Sequence, residues 1–350
     1  MDKQFYQPIY EFRRGNQRES IHYGAAAVVN SQGTLVAWYA DAKTTTFMRS
    51  SAKPFQALPF IERGGHKTYT LQPQEIAIIC ASHSGTDEHV ACVTSIQSKT
   101  GILEADLLCG THPPGDSATA ERLRCQNLEP TPNRHNCSGK HTGMLAFARM
   151  QGWSTEDYLE LHHPVQQAIL ETIAEMCGMT ADQVIVGIDG CSAPNFAVPL
   201  ENSALAFAYL VNPSGLSPER ATACNVITSA MTSHAPMVAG PGRFDTRLME
   251  ITKGGIVSKA GAEGFQGIGI LPGVISPDSP GLGIALKISD GDLRSRVRSA
   301  VSLELLRQLG ALTTSELEAL SDFGPSLPVK NWRKILVGEA QPCFSLCGEN

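Results

Sequence analysis

The sequence predicts an α/β (α+β) protein in which a sheet built from both ends of the chain is joined to a mainly helical middle. Residues 5–14 and 25–40 have the apolar patterns of strands, and the turn signal N-S-Q-G at 30–33 divides the second stretch into a hairpin. Beyond residue 255, apolar segments separated by Gly and Pro predict further strands at 256–259, 264–271 and 282–288. Strands at both ends with helices between them favour one sheet with a helical insertion.

The helical period dominates the middle of the chain, where the predicted helices are 51–62, 74–81, 87–98, 140–151, 163–177, 202–211 and 218–232. The stretch 109–137 is rich in Pro, Gly and polar residues and is expected to be a long loop with a short helix at 118–125, of the kind that forms lids or binding segments. A short buried strand is expected at 184–188. Toward the C-terminus we expect a helix at 292–309, another opening at Thr313, and strands at 329–337 and 341–346.

These elements predict one unit over residues 1–350 with two parts. The sheet part takes approximately 1–50 and 250–350, and the mainly helical part takes approximately 51–249. The chain shows no internal repeat and no linker long enough to separate independent domains.

Composition narrows the class of protein. The 350 residues are 42% hydrophobic and 18% charged, with a formal net charge of −6, as in an ordinary acidic soluble protein. No cluster of Lys and Arg with interleaved aromatics occurs, so we expect no nucleic-acid partner. No apolar run approaches the roughly 18 residues of a membrane span. The first five residues lack the pattern of a signal peptide, so a cytoplasmic location is expected.

The ten cysteines are scattered and form no C-x-x-C pair. In a chain of this length without a secretory signal, reduced thiols are the expectation. Most of them should behave as small buried hydrophobic residues.

The first chemical pattern is S-x-x-K at Ser50-Ser51-Ala52-Lys53. Residues three apart share a helix face, and the start of a helix supplies N–H groups that help to hold an oxyanion. Serine is a poor nucleophile without a base, and lysine can be that base only when burial or nearby positive charge lowers its pKa. The alternative is that Ser50 caps a helix and Lys53 is a solvated charge.

Two further patterns follow in chain order. Ser82-His83-Ser84 and the K-A-G triplet that begins at Lys259 complete a layout typical of penicillin-recognising serine acyl-transferases. The alternatives are structural. The first stretch could simply end a helix, with Gly85 in the left-handed conformation, and Lys259 could be exposed in a glycine-rich hairpin.

The third pattern is N-C-S-G-K-H-T-G at 136–143. Thiolates and imidazoles are good zinc ligands, whereas a lysine amine binds metal only when it is neutral. The residues alone therefore nominate Cys137 and His141, and do not nominate Lys140. Cys191, just after the predicted strand 184–188, is a second thiol candidate.

Five segments in this order resemble the rhizobial-type L-asparaginases, the class 3 or asparaginase II family. They are R-S-S-A-K-P-F-Q at 49–56, A-S-H-S-G at 81–85, and the stretches 136–143, 187–194 and 259–264. The resemblance extends over most of the chain. It implies a fold like those of serine β-lactamases and glutaminases, with a sheet domain and a helical domain, and it implies a homodimer.

The resemblance also implies roles for single residues. It implies two Ser–Lys tandems, Ser50 with Lys53 and Ser82 with Lys259, and a Zn²⁺ site in which Lys140 takes the place that the residues alone gave to His141. The implied ligands are Cys137, Lys140 and Cys191, and the residues implied to line the pocket or support it are Arg49, His141 and Asp189.

The function expected from this resemblance is an amidohydrolase, an L-asparaginase that converts L-asparagine and water to L-aspartate and ammonia. Zinc would orient the substrate or hold the shape of the pocket. Ser84 and Ala260 stand where the acyl-transferase layout has asparagine and threonine, which argues against antibiotic hydrolysis. The alternatives are a β-lactamase-like or penicillin-binding-like serine acyl-transferase, a glutaminase, or a non-catalytic binder of small molecules.

Overall fold

The computed structural model describes residues 5–293 and 295–348, so the expectation about a signal peptide falls almost wholly outside the described residues. The chain divides into two compact units. The first consists of Met1–Arg49, Val198–Gly215 and Ile251–Asn350, and the second of Ser50–Ala197 and Leu216–Glu250. All ten cysteines lie in the described ranges and are free thiols there.

The strands of the described residues are β1 (Gln7–Arg14), β2 (Gln17–Asn30), β3 (Leu35–Tyr39), β4 (Thr45–Phe47), β5 (Ile185–Ile188), β6 (Pro194–Pro199), β7 (Ile256–Ala260), β8 (Phe265–Ile270), β9 (Leu282–Ile288), β10 (Leu327–Lys330), β11 (Leu336–Pro342) and β12 (Cys347–Gly348). The helices are α1 (Lys53–Glu62), α2 (Gly65–Thr68), α3 (Pro73–Ile79), α4 (Asp87–Thr100), α5 (Ser117–Cys125), α6 (Ser138–Gln151), α7 (Pro164–Met176), α8 (Leu200–Val211), α9 (Pro218–Ser233), α10 (Ala235–Val238), α11 (Phe244–Ile251), α12 (Val297–Gln308) and α13 (Thr314–Ala319).

The first unit is built on one antiparallel sheet. Its main path runs β10-β11-β1-β2-β9-β8-β7, and β3 pairs with both β2 and β12. The N-terminal strand β2 lies beside the C-terminal strand β9, in a register from Gly24 opposite Ile288 to Asn30 opposite Leu282. The predicted α/β class, with a sheet built from both termini, is confirmed.

Helix α8 lies directly on this sheet. A Cβ atom at Gly283 would stand 1.8 Å from the carbonyl oxygen of Ala204, so only glycine allows the helix backbone to approach β9 so closely. On the helix, Phe207 is fully buried. The core of the first unit therefore includes a helix from the middle of the sequence.

The predicted strand 329–337 is wrong as a single element. Strands β10 and β11 instead form a hairpin, because the side-chain oxygen of Asn331 accepts hydrogen bonds from the N–H groups of Arg333 (2.9 Å) and Ile335 (3.1 Å) and turns the chain. The strand predicted at 341–346 is wrong beyond Pro342, where β11 ends.

The predicted helix 292–309 begins later than expected, at Val297. The carboxylate of Asp292 accepts hydrogen bonds from the N–H groups of Arg296, Val297 and Arg298 at 2.9–3.1 Å. Asp292 therefore caps the helix from outside, as acidic residues before a helix commonly do.

The second unit is mainly helical and is packed around α1, in which every residue from Lys53 to Ile61 is buried. Helices α6 and α3 touch at Gly139, where a Cβ atom would stand 2.2 Å from the carbonyl oxygen of Ile78. The strand expected to be buried at 184–188 is instead the edge strand β5, in which Ile185 is 56% exposed and Ile188 is 84% exposed. That prediction is wrong because β5 pairs on one side only, with β6.

Candidate active site

Lys53 begins α1, directly after a 3₁₀ turn over Arg49–Ala52, and is 1% exposed. Its Nζ atom donates hydrogen bonds to the carbonyl oxygen of Ala81 (2.5 Å), to Oγ of Ser82 (3.0 Å) and to the carbonyl oxygen of Asn136 (3.0 Å). These three acceptors use all three protons of an ammonium group. The alternative in which Lys53 is a solvated charge is therefore wrong.

Ser50 is half-buried, three residues before Lys53. Among the described residues, Lys53 donates a hydrogen bond to the hydroxyl of Ser82. No hydrogen bond joins Ser50 to Lys53 there. Ser82 therefore contacts Lys53, whereas Ser50 lies three residues before it in the chain. The pairing of Ser50 with Lys53 stays a prediction.

The loop after α3 is held by a buried histidine that the sequence reasoning did not single out. Nε2 of His83 donates to Oγ of Ser138 (2.9 Å), which itself donates to the carbonyl oxygen of Asn133 (2.9 Å). Nδ1 of His83 accepts the N–H of Gly85 (3.1 Å). These partners fix the neutral tautomer, and burial lowers the pKa of His83 well below its usual range. His83 thereby holds the backbone that follows its neighbour Ser82.

Three proposed metal ligands converge at the start of α6. Cys137 and Lys140 lie one helical turn apart there, and Cys191 lies on the loop that follows β5. Their exposed fractions are only 3%, 3% and 2%. Nζ of Lys140 donates to Sγ of Cys191 at 3.0 Å.

The charges in this cluster depend on one another. The neighbouring Cys191 thiol, together with the charges of Lys53 and Lys140, holds the pKa of Cys137 well below its usual range. In turn Cys137 raises the pKa of Cys191. Burial by itself would lower the pKa of Lys140, but the charges of Cys191 and Cys137 outweigh it and raise that pKa. These directions favour the thiolate form of Cys137 and the ammonium form of Lys140.

His141 is fully buried and is oriented by Tyr158. Nδ1 of His141 lies 2.7 Å from the hydroxyl of Tyr158, which also accepts the N–H of Leu108 (2.9 Å). Nε2 of His141 has no hydrogen-bond partner of ordinary geometry within the described ranges, and it is directed toward Cys191. Burial lowers the pKa of His141 to about 4. Asp189 approaches the same thiol, with 3.7 Å between its Oδ2 and Sγ of Cys191.

The zinc site that the resemblance implies depends on the amine of Lys140. No group of three or more His, Cys, Asp and Glu side chains in residues 5–293 and 295–348 is arranged to hold a metal ion. A three-donor set here therefore needs the amine of Lys140 beside the two thiols of Cys137 and Cys191, and that amine must lose its proton before it can bind a metal ion. Thiolate sulfur is a preferred zinc donor. Nε2 of His141, near these donors, is a buried polar atom without a hydrogen-bond partner among the described residues.

Lys259 and Arg49 belong to the first unit. Lys259 lies on β7, is 0% exposed, and donates from Nζ to the carbonyl oxygen of Ala260 (2.9 Å), so the exposed-lysine alternative is wrong. Arg49 has a positive φ of 52° and lies 3.8 Å from Glu263. The pairing of Ser82 with Lys259 joins residues of different units and stays a prediction.

The family model described as L-asparaginase II matches residues 10–342, which is nearly the whole chain. The chain belongs to the L-asparaginase II family. The resemblance that rested on five sequence segments is thereby confirmed. Family membership supports a hydrolase that acts on amides.

Several solved structures share a distant likeness. The native form of Mglu matches with 14% identity and a TM-score of 0.41, covering 84% of this chain and 66% of the Mglu chain. A Bacillus glutaminase in 4.3 M NaCl matches with 13% identity and a TM-score of 0.39, covering 81% of this chain and 90% of that one. This chain thus spans slightly less than two thirds of the Mglu chain. No curated protein sequence matches this one closely enough to count as a relative.

No helix among the described residues is both long enough and apolar enough to cross a membrane.

Proposed function

We propose that the protein hydrolyses the side-chain amide of L-asparagine to give L-aspartate and ammonia. The observation that carries the proposal is the buried Lys53, whose Nζ lies 3.0 Å from Oγ of Ser82 and which stands one turn after Ser50. A buried lysine in contact with a serine hydroxyl supplies the base that a serine nucleophile needs for amide chemistry. Membership of the L-asparaginase II family supports the same reaction class.

In the proposed reaction Ser50 Oγ bonds to the amide carbon, and its proton passes to Lys53. The tetrahedral adduct then collapses, and ammonia leaves with a proton delivered through Ser82 and Lys259. Water, activated by the same groups, releases L-aspartate and restores Ser50. To accept a proton Lys53 needs a lone pair, so one of its three observed donations must be given up in the reactive state.

The oxyanion of the adduct needs preorganised donors. The second residue of α1 is Pro54, which has no N–H, so helix α1 offers fewer donors at its start than an ordinary helix would. We therefore assign the oxyanion donors to the N–H groups of the 3₁₀ turn that contains Ser50.

The contact between Lys53 and Ser82 favours a second assignment within the same reaction, in which Ser82 is the acylated serine. Acyl capture distinguishes the two assignments. Mass spectrometry after rapid quenching in L-asparagine would place the added mass on a peptide containing Ser50 or on one containing Ser82.

We also propose that Cys137, Lys140 and Cys191 hold Zn²⁺ in the working enzyme. When bound there, zinc would supply a fixed positive charge that orients the α-amino and carboxylate end of the substrate or holds the shape of the pocket. The chain's own contribution is the burial and convergence of the three donors, with Lys140 Nζ 3.0 Å from Cys191 Sγ. The ten free thiols accord with the proposed cytoplasmic location.

The deciding experiment measures ammonia release from L-asparagine and L-glutamine. Wild type, Ser50→Ala and Ser82→Ala are compared with Ser98→Ala, a matched control on the exposed side of α4. We expect turnover of asparagine by wild type and by Ser98→Ala, and its loss in the other two variants. Turnover of glutamine alone would make the protein a glutaminase, and no ammonia from either substrate by folded, zinc-loaded wild type would reject the proposal.

A further inference from the structure

An open groove of about 550 Å³ lies in the second unit, on the outer side of the segments that carry Tyr158 and Cys191. Its apolar lining includes Leu108, Leu161 and Ile188, which are 47%, 39% and 84% exposed. Apolar side chains scattered singly over a surface need no explanation, but a groove lined by several of them is typical of an interaction site.

The rim of this groove is acidic. Glu156, Asp157 and Glu160 all line it and are exposed. Within the described ranges none of the three carboxylates forms an ion pair with a basic side chain of the same chain. The groove therefore presents apolar surface and three negative charges that this chain leaves uncompensated.

The hairpin of β10 and β11, in the first unit, has the opposite character at its tip. All seven residues from 330 to 336 are exposed, and Trp332, Ile335 and Leu336 are 101%, 48% and 65% exposed. Lys330, Arg333 and Lys334 carry three positive charges on the same turn.

This tip is already ordered before it meets any partner. The side-chain oxygen of Asn331 accepts hydrogen bonds from two N–H groups of the turn, and the N–H of Asn331 bonds to the carbonyl oxygen of Ile335 at 3.0 Å. A preformed element loses little conformational entropy on binding. Exposed Trp and Arg side chains are also the residue types most enriched among the energetically dominant positions of interfaces.

We propose that the basic, apolar hairpin tip of one copy docks into the acidic, apolar groove of a second copy. Three cations face three carboxylates, and three large apolar side chains meet an apolar lining, so charge and hydrophobicity match together. The lining of the groove also includes Asp157 and Ser192, the sequence neighbours of Tyr158 and Cys191.

Charge reversal tests the contact through the sedimentation velocity of the full-length protein. The hairpin variant is Arg333→Glu/Lys334→Glu, and the groove variant is Glu156→Lys/Glu160→Lys. The matched control is Lys43→Glu/Lys67→Glu, which makes the same change in charge as the hairpin variant at exposed positions outside both surfaces. We expect wild type and control to self-associate and each of the two other variants to associate at least about tenfold more weakly, as for complementary interfacial charges.

Mixing the hairpin and groove variants in equal amounts then gives the sharper result. In a mixed pair, a negative hairpin faces a positive groove and a positive hairpin faces a negative groove, so association should return to the wild-type level. Association of either variant alone at wild-type strength, failure of the mixture to associate, or a wild type that stays monomeric up to about 100 μM would overturn the proposal. None of these measurements depends on asparagine turnover. The docking proposal and the catalytic proposal are therefore tested independently.

Discussion

Nζ of Lys53 lies 3.0 Å from Oγ of Ser82, and this bond ties the start of α1 to the loop that follows α3. Two carbonyl oxygens, from Ala81 and Asn136, complete the surroundings of the same nitrogen. The lysine of the first sequence pattern is thus bonded to the serine of the second. The first two sequence patterns therefore meet at one amine.

Replacing Lys53 by methionine keeps the length and burial of the side chain but removes the amine. We expect turnover to fall by about 10²–10⁴-fold, the range of general acid–base catalysis. The two abandoned carbonyl oxygens should also cost about 1–3 kcal/mol of unfolding free energy. Steady-state kinetics and urea unfolding measure the two effects, with Lys67→Met on an exposed position as control. A folded Lys53→Met enzyme with wild-type turnover would remove Lys53 from the mechanism.

Metal content tests the zinc proposal without reference to activity. Cys137→Ser should lose most of the zinc that wild type retains after gel filtration, because a serine hydroxyl is a far poorer zinc donor than a thiolate. Cys109→Ser is the matched control: Cys109 is buried nearby, burial raises its pKa to about 12, and it is not a proposed ligand. Elemental analysis of both proteins decides the matter. Equal zinc in Cys137→Ser and wild type, or none in wild type grown with zinc, would count against the site.

Substitution of Gly139 tests the close approach of helices α3 and α6 in the second unit. Its missing Cβ would stand 2.2 Å from the carbonyl oxygen of Ile78, so Gly139→Ala must push α6 away from α3. These helices carry Lys140 and lead into Ser82. We expect Gly139→Ala to lose about 2 kcal/mol or more of unfolding free energy, in the range for overpacking.

The control for that change is Gly190→Ala, next to Cys191, where a new Cβ meets nothing within 4 Å and φ is not positive. Its unfolding free energy should stay within about 0.5 kcal/mol of wild type. Equal stability of the two variants in urea unfolding would mean that the approach of the helices is looser than the structure has it.

The sequence allowed the strand-rich ends and helical middle to be predicted because apolar periodicity reports which side chains face a core. It could not predict the strand character of residues 17–20 in β2, because those side chains are exposed and carry no apolar alternation. Ile185 and Ile188 led to the opposite error, because their apolar side chains predicted a buried strand where the strand is exposed. An apolar letter does not say whether a strand lies inside a sheet or at its edge, and β5 lies at an edge.

In the candidate site, too, the sequence predicts some features and not others. The spacing of Cys137 and Lys140 predicts that they share a helix face, which the structure shows. The contact of Lys53 with Asn136 could not be predicted, because it is made to a backbone carbonyl that every residue possesses. In the sequence, only the position of His83 beside Ser82 indicates that it belongs to the site. Its role depends on Ser138, 55 residues away in sequence, which only tertiary structure brings within 2.9 Å.

The stability of the protein should fall in mild acid because of its buried histidines. The rings of His83 and His89 are stacked with centroids 5.0 Å apart, and both are buried. Burial lowers the pKa of each below 6.5, and the charges of His89 and Lys53 lower that of His83 further. Burial also lowers the pKa of His135 and of His141 to about 4.

The sign follows from proton binding. Below about pH 6.5 these histidines take up protons in the unfolded chain but stay neutral in the folded one, so the unfolded state binds more protons and the unfolding free energy decreases as pH falls toward 4. Each such histidine contributes a slope of up to about 1.4 kcal/mol per pH unit. Asp87 and Asp116, whose pKa values are lowered, lose their stabilising charge only at more acidic pH and do not affect this window.

Urea unfolding at pH 7.5, 6.5 and 5.5 measures the slope, and His89→Gln isolates one contributor. Nε2 of His89 donates to the carbonyl oxygen of Pro236 (2.9 Å), and a glutamine amide can make the same donation without titrating. We expect the variant to be somewhat less stable at pH 7.5, because the N–H of Thr86 loses its acceptor, Nδ1 of His89. Between pH 6.5 and 5.5, the slope of its unfolding free energy against pH should be shallower than that of wild type. The difference should be up to about 1.4 kcal/mol per pH unit, which corresponds to one proton. A wild-type stability that does not change between pH 7.5 and 5.5 would mean that these rings can take up protons without leaving the folded state.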